Sequence, residues 1–278
     1  YHKSDAKLVC HYCSHRVAVP KKCPFCQSDF LYFIGQGTEQ LETMLDKRFP
    51  GLSIARIDRD TMSKHGEMAK ILTGFDRGEI DMLVGTQMLA KGHDFHNVTL
   101  VGVISVDTGL GLPDFRSAER TFQLITQVAG RAGRGNLQGR VLIQTYYPEH
   151  YALRHAVKQD FEGFFAEEIR YRERLNYPPF VALASILIKH ADLGIASKNA
   201  QMLKDCLDNA NKDKSCRILG VAPASLSRLK GEHRLQILIK SANRRKLREV
   251  LDIATEEAEH KGCDLRIIQV EIDPVNLM

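Results

Sequence analysis

The chain has 278 residues, 44% of them hydrophobic and 26% charged, with a formal net charge of +5. This is the balance of a soluble globular protein of about two domains. No apolar run approaches the ~20 residues of a membrane span, and so mild a positive charge permits nucleic-acid binding without arguing for it.

The chain opens Tyr1-His2-Lys3, with neither an initiator methionine nor an apolar signal segment, and reads as an excerpt. Residues 1–30 carry two C-x-x-C pairs, Cys10 with Cys13 and Cys23 with Cys26. That spacing points to thiolate metal ligands in a reducing cytoplasm rather than to disulfides. Four thiolates in a tetrahedron make a closed structural Zn2+ site, and Pro20 and Pro24 suit the turns around it. His11 and His15 read as exposed polar residues.

Residues 31–147 alternate strands and helices. Leu31–Gly35 reads as a strand, and Gly35-Gln36-Gly37-Thr38 as a turn into a helix ending near Phe49, with Thr38 as N-cap. Such a turn presents backbone N–H groups to a phosphate, so Gly37 and Thr38 are candidate DNA-backbone contacts. Ser53–Ile57 predicts a strand. Lys64–Arg77 predicts a helix with Met68, Ile71, Leu72 and Phe75 on one face. Further strands are expected at Ile80–Val84, Val98–Val106 (buried) and Arg140–Tyr146, with a helix at Phe115–Val128. The alternation implies a parallel, doubly wound sheet, whose ligands bind beyond the carboxyl ends of the strands.

One stretch lies at such an end, and a second is delivered by a helix. Gly85-Thr86-Gln87-Met88-Leu89-Ala90-Lys91-Gly92-His93-Asp94 follows one strand. Gln127-Val128-Ala129-Gly130-Arg131-Ala132-Gly133-Arg134 closes the last helix and sets two arginines three residues apart among glycines. Phosphoryl transfer spreads negative charge over the γ-phosphate oxygens. A guanidinium stays charged, meets oxygens two at a time and is suited to neutralise that charge. A basic surface turn is the plain alternative for the second stretch taken by itself.

Residues 148–179 read as linker helices. Ala152–Leu175 reads helical, with Phe161, Phe164, Phe165 and Ile169 as a core-facing stripe, and Pro178-Pro179 ends the helical region. Residues 180–278 read as an α+β domain. The expected order is strand Val181–Lys189, helix Leu193–Asn211, strands Cys216–Val221 and His233–Lys240, helix Asn243–Lys261 and strand Asp264–Glu271. That β-α-β-β-α-β order is ferredoxin-like. Arg228, Lys230, Arg234, Lys240, Arg244, Arg245, Lys246 and Arg248 concentrate positive charge near its hairpin and second helix. They form either a solvated face or a phosphate-neutralising one.

The pair of stretches resembles motifs V and VI of the second RecA-like lobe of superfamily 2 helicases, motif VI reading Q/H-x-x-G-R-x-G-R. The runs G-T-E-Q-L-E, R-I-D-R-D-T, G-T-Q-M-L-A-K-G-H-D-F, D-F-R-S-A-E-R and Q-V-A-G-R-A-G-R, behind a double C-x-x-C, resemble the PriA family of bacterial primosomal helicases across essentially the whole chain. The resemblance implies an α/β chain: a RecA-like lobe 2 with an N-terminal zinc knuckle and a C-terminal ferredoxin-like domain. It implies Gln127, Arg131 and Arg134 as the catalytic set, with Arg134 as the arginine finger. Gly92 and Asp94 would lie beside the nucleotide and Thr86 on the DNA backbone.

No G-x-x-x-x-G-K-[ST] and no D-E-x-H after a strand occur here. By resemblance the phosphate-cradling lysine and the Mg2+-binding acid belong to an upstream first lobe that completes the ATP site. The family's zinc cysteines come as four C-x-x-C pairs holding two ions in an interleaved pattern. Cys10, Cys13, Cys23 and Cys26 therefore either share one ion or supply parts of two sites. The resemblance further implies a cytoplasmic, ATP-dependent 3′-to-5′ DNA helicase that recognises stalled forks and promotes primosome assembly and replication restart. Its partners would be branched and single-stranded DNA, primosome proteins and the acidic tail of single-strand DNA-binding protein. Arg234 and Gln236 fall in the stretch matching the tail-capturing region, with Leu235 where an aromatic is expected, and Arg234, Arg244 and Arg245 are candidate DNA contacts. The rivals are another superfamily 2 translocase and a non-enzymatic zinc-dependent nucleic-acid adaptor.

Overall fold

The computed structural model describes residues 7–9, 16–18, 20, 22, 27, 37–58, 66–86, 89, 98–130, 132 and 139–277. The chain divides into two compact units. One holds residues 30–112 and 117–165, and the other holds 166–278 together with 1–29 and 113–116. The expected strand at 31–35 lies outside the described residues.

Near the start, β1 (Lys7–Val9) and β2 (Arg16–Ala18) pair antiparallel, Leu8 opposite Val17. In the α/β unit, α1 (Thr38–Arg48) precedes β3 (Ile54–Ile57), and α2 (Glu67–Asp76) connects it to β4 (Met82–Gly85). β3 and β4 are parallel, with Ile54 opposite Met82 and Ile57 opposite Gly85. A second parallel pair joins β5 (Leu100–Val103) to β6 (Arg140–Ile143), with α3 (Asp107–Leu110) and α4 (Ser117–Ala129) between them in sequence. The expected parallel pairing is thus present. Among the described residues it takes the form of two separate pairs rather than one continuous sheet.

Local chemistry moves several boundaries. Thr38 is the first helical residue of α1, and Gly37 is the N-cap in an extended conformation without a side-chain cap bond. The Thr38 hydroxyl goes to Asp58 instead, so the expected cap is corrected. α2 opens at Glu67 behind Gly66, whose φ of 82° only glycine adopts cheaply. Its Met68, Ile71, Leu72 and Phe75 are half-buried together, as the periodicity requires. The Val98–Val106 strand is shorter than expected and is not buried on both faces. Val101 and Val103 point inward, while Leu100 is 58% exposed.

The helical stretch expected at 152–175 consists of two helices, α5 (Tyr151–Val157) and α6 (Phe161–Arg174). Gln159 takes a φ of 53° between them. Asp160 then accepts the Gly163 N–H at 2.8 Å and pairs with His155 Nδ1 at 2.9 Å, restarting the helix. These two partners, the Gly163 N–H foremost, hold the Asp160 carboxyl below its usual range. Of the expected core stripe only Phe164 is buried, stacked on Phe122 of α4. Phe161 and Phe165 remain exposed.

In the C-terminal unit, β7 (Ala182–His190) leads through α7 (Leu193–Ala210) to β8 (Arg217–Ile218) and β9 (Ala222–Leu229). β10 (Glu232–Ser241), α8 (Arg244–His260), a short 3-10 turn (Leu265–Ile267) and β11 (Ile268–Ile272) follow. The sheet order is β11-β7-β10-β8, every neighbour antiparallel, and β9 shares the β8 side of β10. Lys230 and Gly231, both at positive φ, close the β9–β10 hairpin in two residues. Asp192 caps α7 through the Ile195 N–H, and Asn243 caps α8 through the N–H groups of Arg245 and Lys246. Ala184, Ile186 and Ile188 of β7 and Leu235, Ile237 and Ile239 of β10 form one apolar face. Leu203 and Leu207 of α7 and Leu247, Val250 and Leu251 of α8 complete that core.

Candidate nucleotide and nucleic-acid sites

Two carboxylates brace the carboxyl ends of the parallel strands. Asp58, just past β3 and 7% exposed, accepts the Thr38 hydroxyl at 2.9 Å and Arg56 Nη1 at 2.6 Å. Arg56 Nε also lies 3.0 Å from Glu42. Burial nevertheless outweighs Arg56 at Glu42 and pushes its carboxyl above the usual value. Thr38 therefore spends its proton on Asp58. What it has left for a phosphate is the backbone at the helix N-terminus beside exposed Gly37. Asp107, at the start of α3, accepts the Thr145 hydroxyl at 2.6 Å and the Tyr146 N–H at 3.0 Å, tying that turn to the end of β6.

Thr86 is exposed immediately beyond β4 and receives the Leu89 N–H at 3.0 Å. Gly85 before it is needed for space, since a Cβ there would sit 2.5 Å from the Ile57 carbonyl and 2.6 Å from Leu89. Gln127 is exposed near the end of α4. That helix buries Ala118, Thr121, Phe122, Ile125 and Val128 on its other side. Gly92, Asp94, Arg131, Arg134 and the four cysteines Cys10, Cys13, Cys23 and Cys26 lie outside the described residues. No group of three or more candidate ligands that could hold a metal occurs among the described residues.

In the C-terminal unit the basic residues divide by environment. Arg234 is 8% exposed, at a register shift of the β9–β10 pairing, and its Nε is buried without a hydrogen-bond partner. It lines a cavity of about 360 Å3 with Ser185, Lys189, Gln236, Gln269 and Asn276. Lys240 is equally buried, donating to the Leu175 carbonyl at 3.0 Å over the Tyr177 ring. Desolvation lowers its pKa, and it is no solvated contact. Arg244, Arg245, Lys246 and Arg248 are exposed along the first turns of α8. Carboxylates partner most of them: Asp273 at 2.5 Å from Arg244, and Glu249 at 3.1 Å from Arg245 and 3.0 Å from Lys246. The Glu249 hydrogen bond raises the Lys246 pKa, and Lys246 in turn lowers that of Glu249.

Spacing alone assigned no role to Asp58 or Asp107. Their signal was an aspartate just beyond an apolar run in R-I-D-R-D and S-V-D-T-G.

Residues 27–136 match the Helicase conserved C-terminal domain, and residues 173–275 match the Primosomal protein N C-terminal domain. The fold and its motifs are therefore those of a helicase C-terminal lobe followed by a primosomal domain. The replication restart protein PriA of Bacillus subtilis is 41% identical over 100% of this chain and 34% of its own length. The protein of that name from Synechocystis is 43% identical over 84% of this chain and 28% of its own length, and that from Haemophilus influenzae 38% identical over 100% and 38%. The chain belongs to the replication restart protein PriA family and corresponds to a C-terminal portion of it, spanning about a third of the length of these relatives.

Proposed function

We propose that this chain is the C-terminal part of an ATP-dependent, 3′-to-5′ DNA helicase of replication restart, acting in the cytoplasm on stalled forks and promoting primosome assembly. The observation that carries this reading is the placement of its two motifs. Gly85 and Thr86 follow parallel strand β4, and α4 leads directly into Gly130 and the two arginines. Gln127, Arg131 and Arg134 would face the γ-phosphate of Mg2+-ATP held by an upstream lobe, with Gly92 and Asp94 beside the nucleotide. DNA-stimulated ATP hydrolysis by the full-length protein, with forked DNA preferred over RNA, is the expected result. Preference for RNA would favour another superfamily 2 translocase. Nucleic-acid binding without hydrolysis would favour an adaptor.

The zinc reading rests on the spacing of the two C-x-x-C pairs, the first of which lies in sequence between β1 and β2. With Cys23 and Cys26 the donor set is all thiolate, which suits Zn2+ in a structural role. Purified chain will carry up to one zinc, and Cys10→Ser with Cys23→Ser will abolish it. Full zinc retained in that double variant, or none in the wild type, would refute the assignment.

The β11-β7-β10-β8 order supports the ferredoxin-like reading of the C-terminal unit. This unit would bind branched and single-stranded DNA through the exposed start of α8. The buried Arg234 and half-buried Gln236 would suit a carboxylate of the acidic single-strand DNA-binding protein tail better than an open phosphate track. Because Asp273 and Glu249 already partner the α8 cations, each phosphate contact must displace an ion pair, and binding will be weak. Arg244→Ala with Arg245→Ala and Lys246→Ala will lower single-stranded DNA affinity about threefold to tenfold at low salt and flatten its salt dependence. An unchanged salt slope would remove DNA binding from this helix.

A further inference from the structure

Alternation along β10 sends Leu235, Ile237 and Ile239 into the core with α7 and α8, and turns Arg234 and Gln236 to the other face of the sheet. The antiparallel register sets Arg234 directly opposite Lys189 of β7, and Gln236 opposite Leu187. Two cations facing each other across strands repel. Lys189 donates to the neutral Gln269 at 3.1 Å. Arg234, 8% exposed, keeps its buried Nε without a hydrogen-bond partner and makes no ion pair among the described residues. A buried cation in that state costs stability until an anion meets it. Glu232 lies two residues before Arg234, so it shares that face, and it too has no ion pair among the described residues. Arg234, Lys189 and Glu232 line the same cavity of about 360 Å3, whose apolar wall includes Leu187, Ala224 and Leu229.

Opposite charges that share a cavity without bonding each other complement a ligand that carries both. A planar carboxylate meets the guanidinium fork of Arg234 with two oxygens and screens it from Lys189. An ammonium meets Glu232. A ligand of several negative charges is opposed by Glu232 and by Glu271, which lines the same cavity. The volume lies at the small end of ligand pockets, and Leu187 and Leu229 suit a short apolar body. We propose that this cavity is a binding site for a free α-amino acid with an apolar side chain, its carboxylate on Arg234 and Lys189 and its ammonium on Glu232. The proposal rests on Arg234 as a carboxylate anchor, as in the reading above, with a small zwitterion as the ligand instead of an acidic peptide. The site is built within the C-terminal unit and owes nothing to the ATP site.

The probe is leucine, titrated calorimetrically into the full-length protein, with an expected Kd on the order of 1 mM or below. Leucinamide lacks the carboxylate and N-acetylleucine lacks the ammonium, and each should bind about tenfold more weakly or worse. Arg234→Gln should abolish leucine binding. Because it removes an unpaired buried charge, it should leave the thermal midpoint unchanged or raised. Glu232→Gln should weaken leucine about tenfold and leave N-acetylleucine unaffected, a selectivity that a folding defect does not produce. Equal affinity for leucine and either derivative would overturn the proposal, as would no leucine binding at about 10 mM. A midpoint lowered alike by Arg234→Gln and Glu232→Gln would also overturn it, since the two side chains would then pair with each other. An acidic peptide that binds through Arg234 and is not displaced by leucine would give the site to the peptide and uphold the tail reading. Peptide binding that Arg234→Gln leaves unchanged would overturn the tail reading alone.

Discussion

Full-length protein carrying Arg134→Lys will turn over ATP about 10²- to 10³-fold more slowly than wild type, and Arg134→Ala about 10³-fold or more. Lysine keeps the charge but loses the planar fork that meets two phosphate oxygens at once. ATP affinity will fall far less, because the contact is strongest where charge develops in the transition state. DNA affinity will stay within a factor of about two. Arg131→Ala will also slow turnover, and the present chain by itself is expected to hydrolyse no ATP, since no G-x-x-x-x-G-K-[ST] occurs in it. The measurement is steady-state ATPase with and without forked DNA. Wild-type turnover by Arg134→Lys with DNA bound would leave the arginine turn a structural feature.

The second large effect concerns stability. Ile237 is completely buried at the centre of β10, opposite Ile186 of β7, with Leu235 and Ile239 on the same face. Ile237→Ala removes most of its side chain where the sheet meets α7 and α8, and will cost about 2–5 kcal/mol. Gln236→Ala, one residue away on the opposite face, loses a hydrogen bond to Ser185 at 2.9 Å and will cost about 0.5–1.5 kcal/mol. Urea unfolding followed by hydrogen exchange in β7 and β10 separates this transition from that of the α/β unit. Equal losses for the two variants would mean that the apolar face is not the buried one.

The two sites differ in how far the residues alone reveal them. Amphipathic α7 and α8 announce themselves by caps at Asp192 and Asn243 and by apolar spacing, and both sit within a residue of expectation. β9 was invisible because A-P-A-S-L-S-R-L lacks the alternation and branched residues of a strand. It forms because the Lys230-Gly231 turn lays it along β10. The position of the break at 158–160 was not legible because apolar periodicity continues through it. Only the Asp160–Gly163 cap, a local polar bond, breaks the helix. Motifs V and VI were legible because their glycines and arginines have few other uses in that spacing. The burial of Arg234 and Lys240 was not, because a basic residue reads as exposed until its cavity is known. Similarly, Thr38 reads as a cap until Asp58, twenty residues on, takes its proton.

The strand order of the C-terminal sheet has a consequence for the order of synthesis. β7 leaves the ribosome before either of its neighbours, which are β10 and, later still, β11, whose Ile268 pairs with Ile188. Until both arrive, Ala184, Ile186 and Ile188 form an apolar ribbon with two open edges. α7 alone can shelter it by local contacts. Pairings this distant in sequence slow folding and lengthen the exposure of such edges to other chains. The strand at the heart of the sheet is therefore made first and paired last, and nascent chains stalled before β10 are the ones a chaperone should hold.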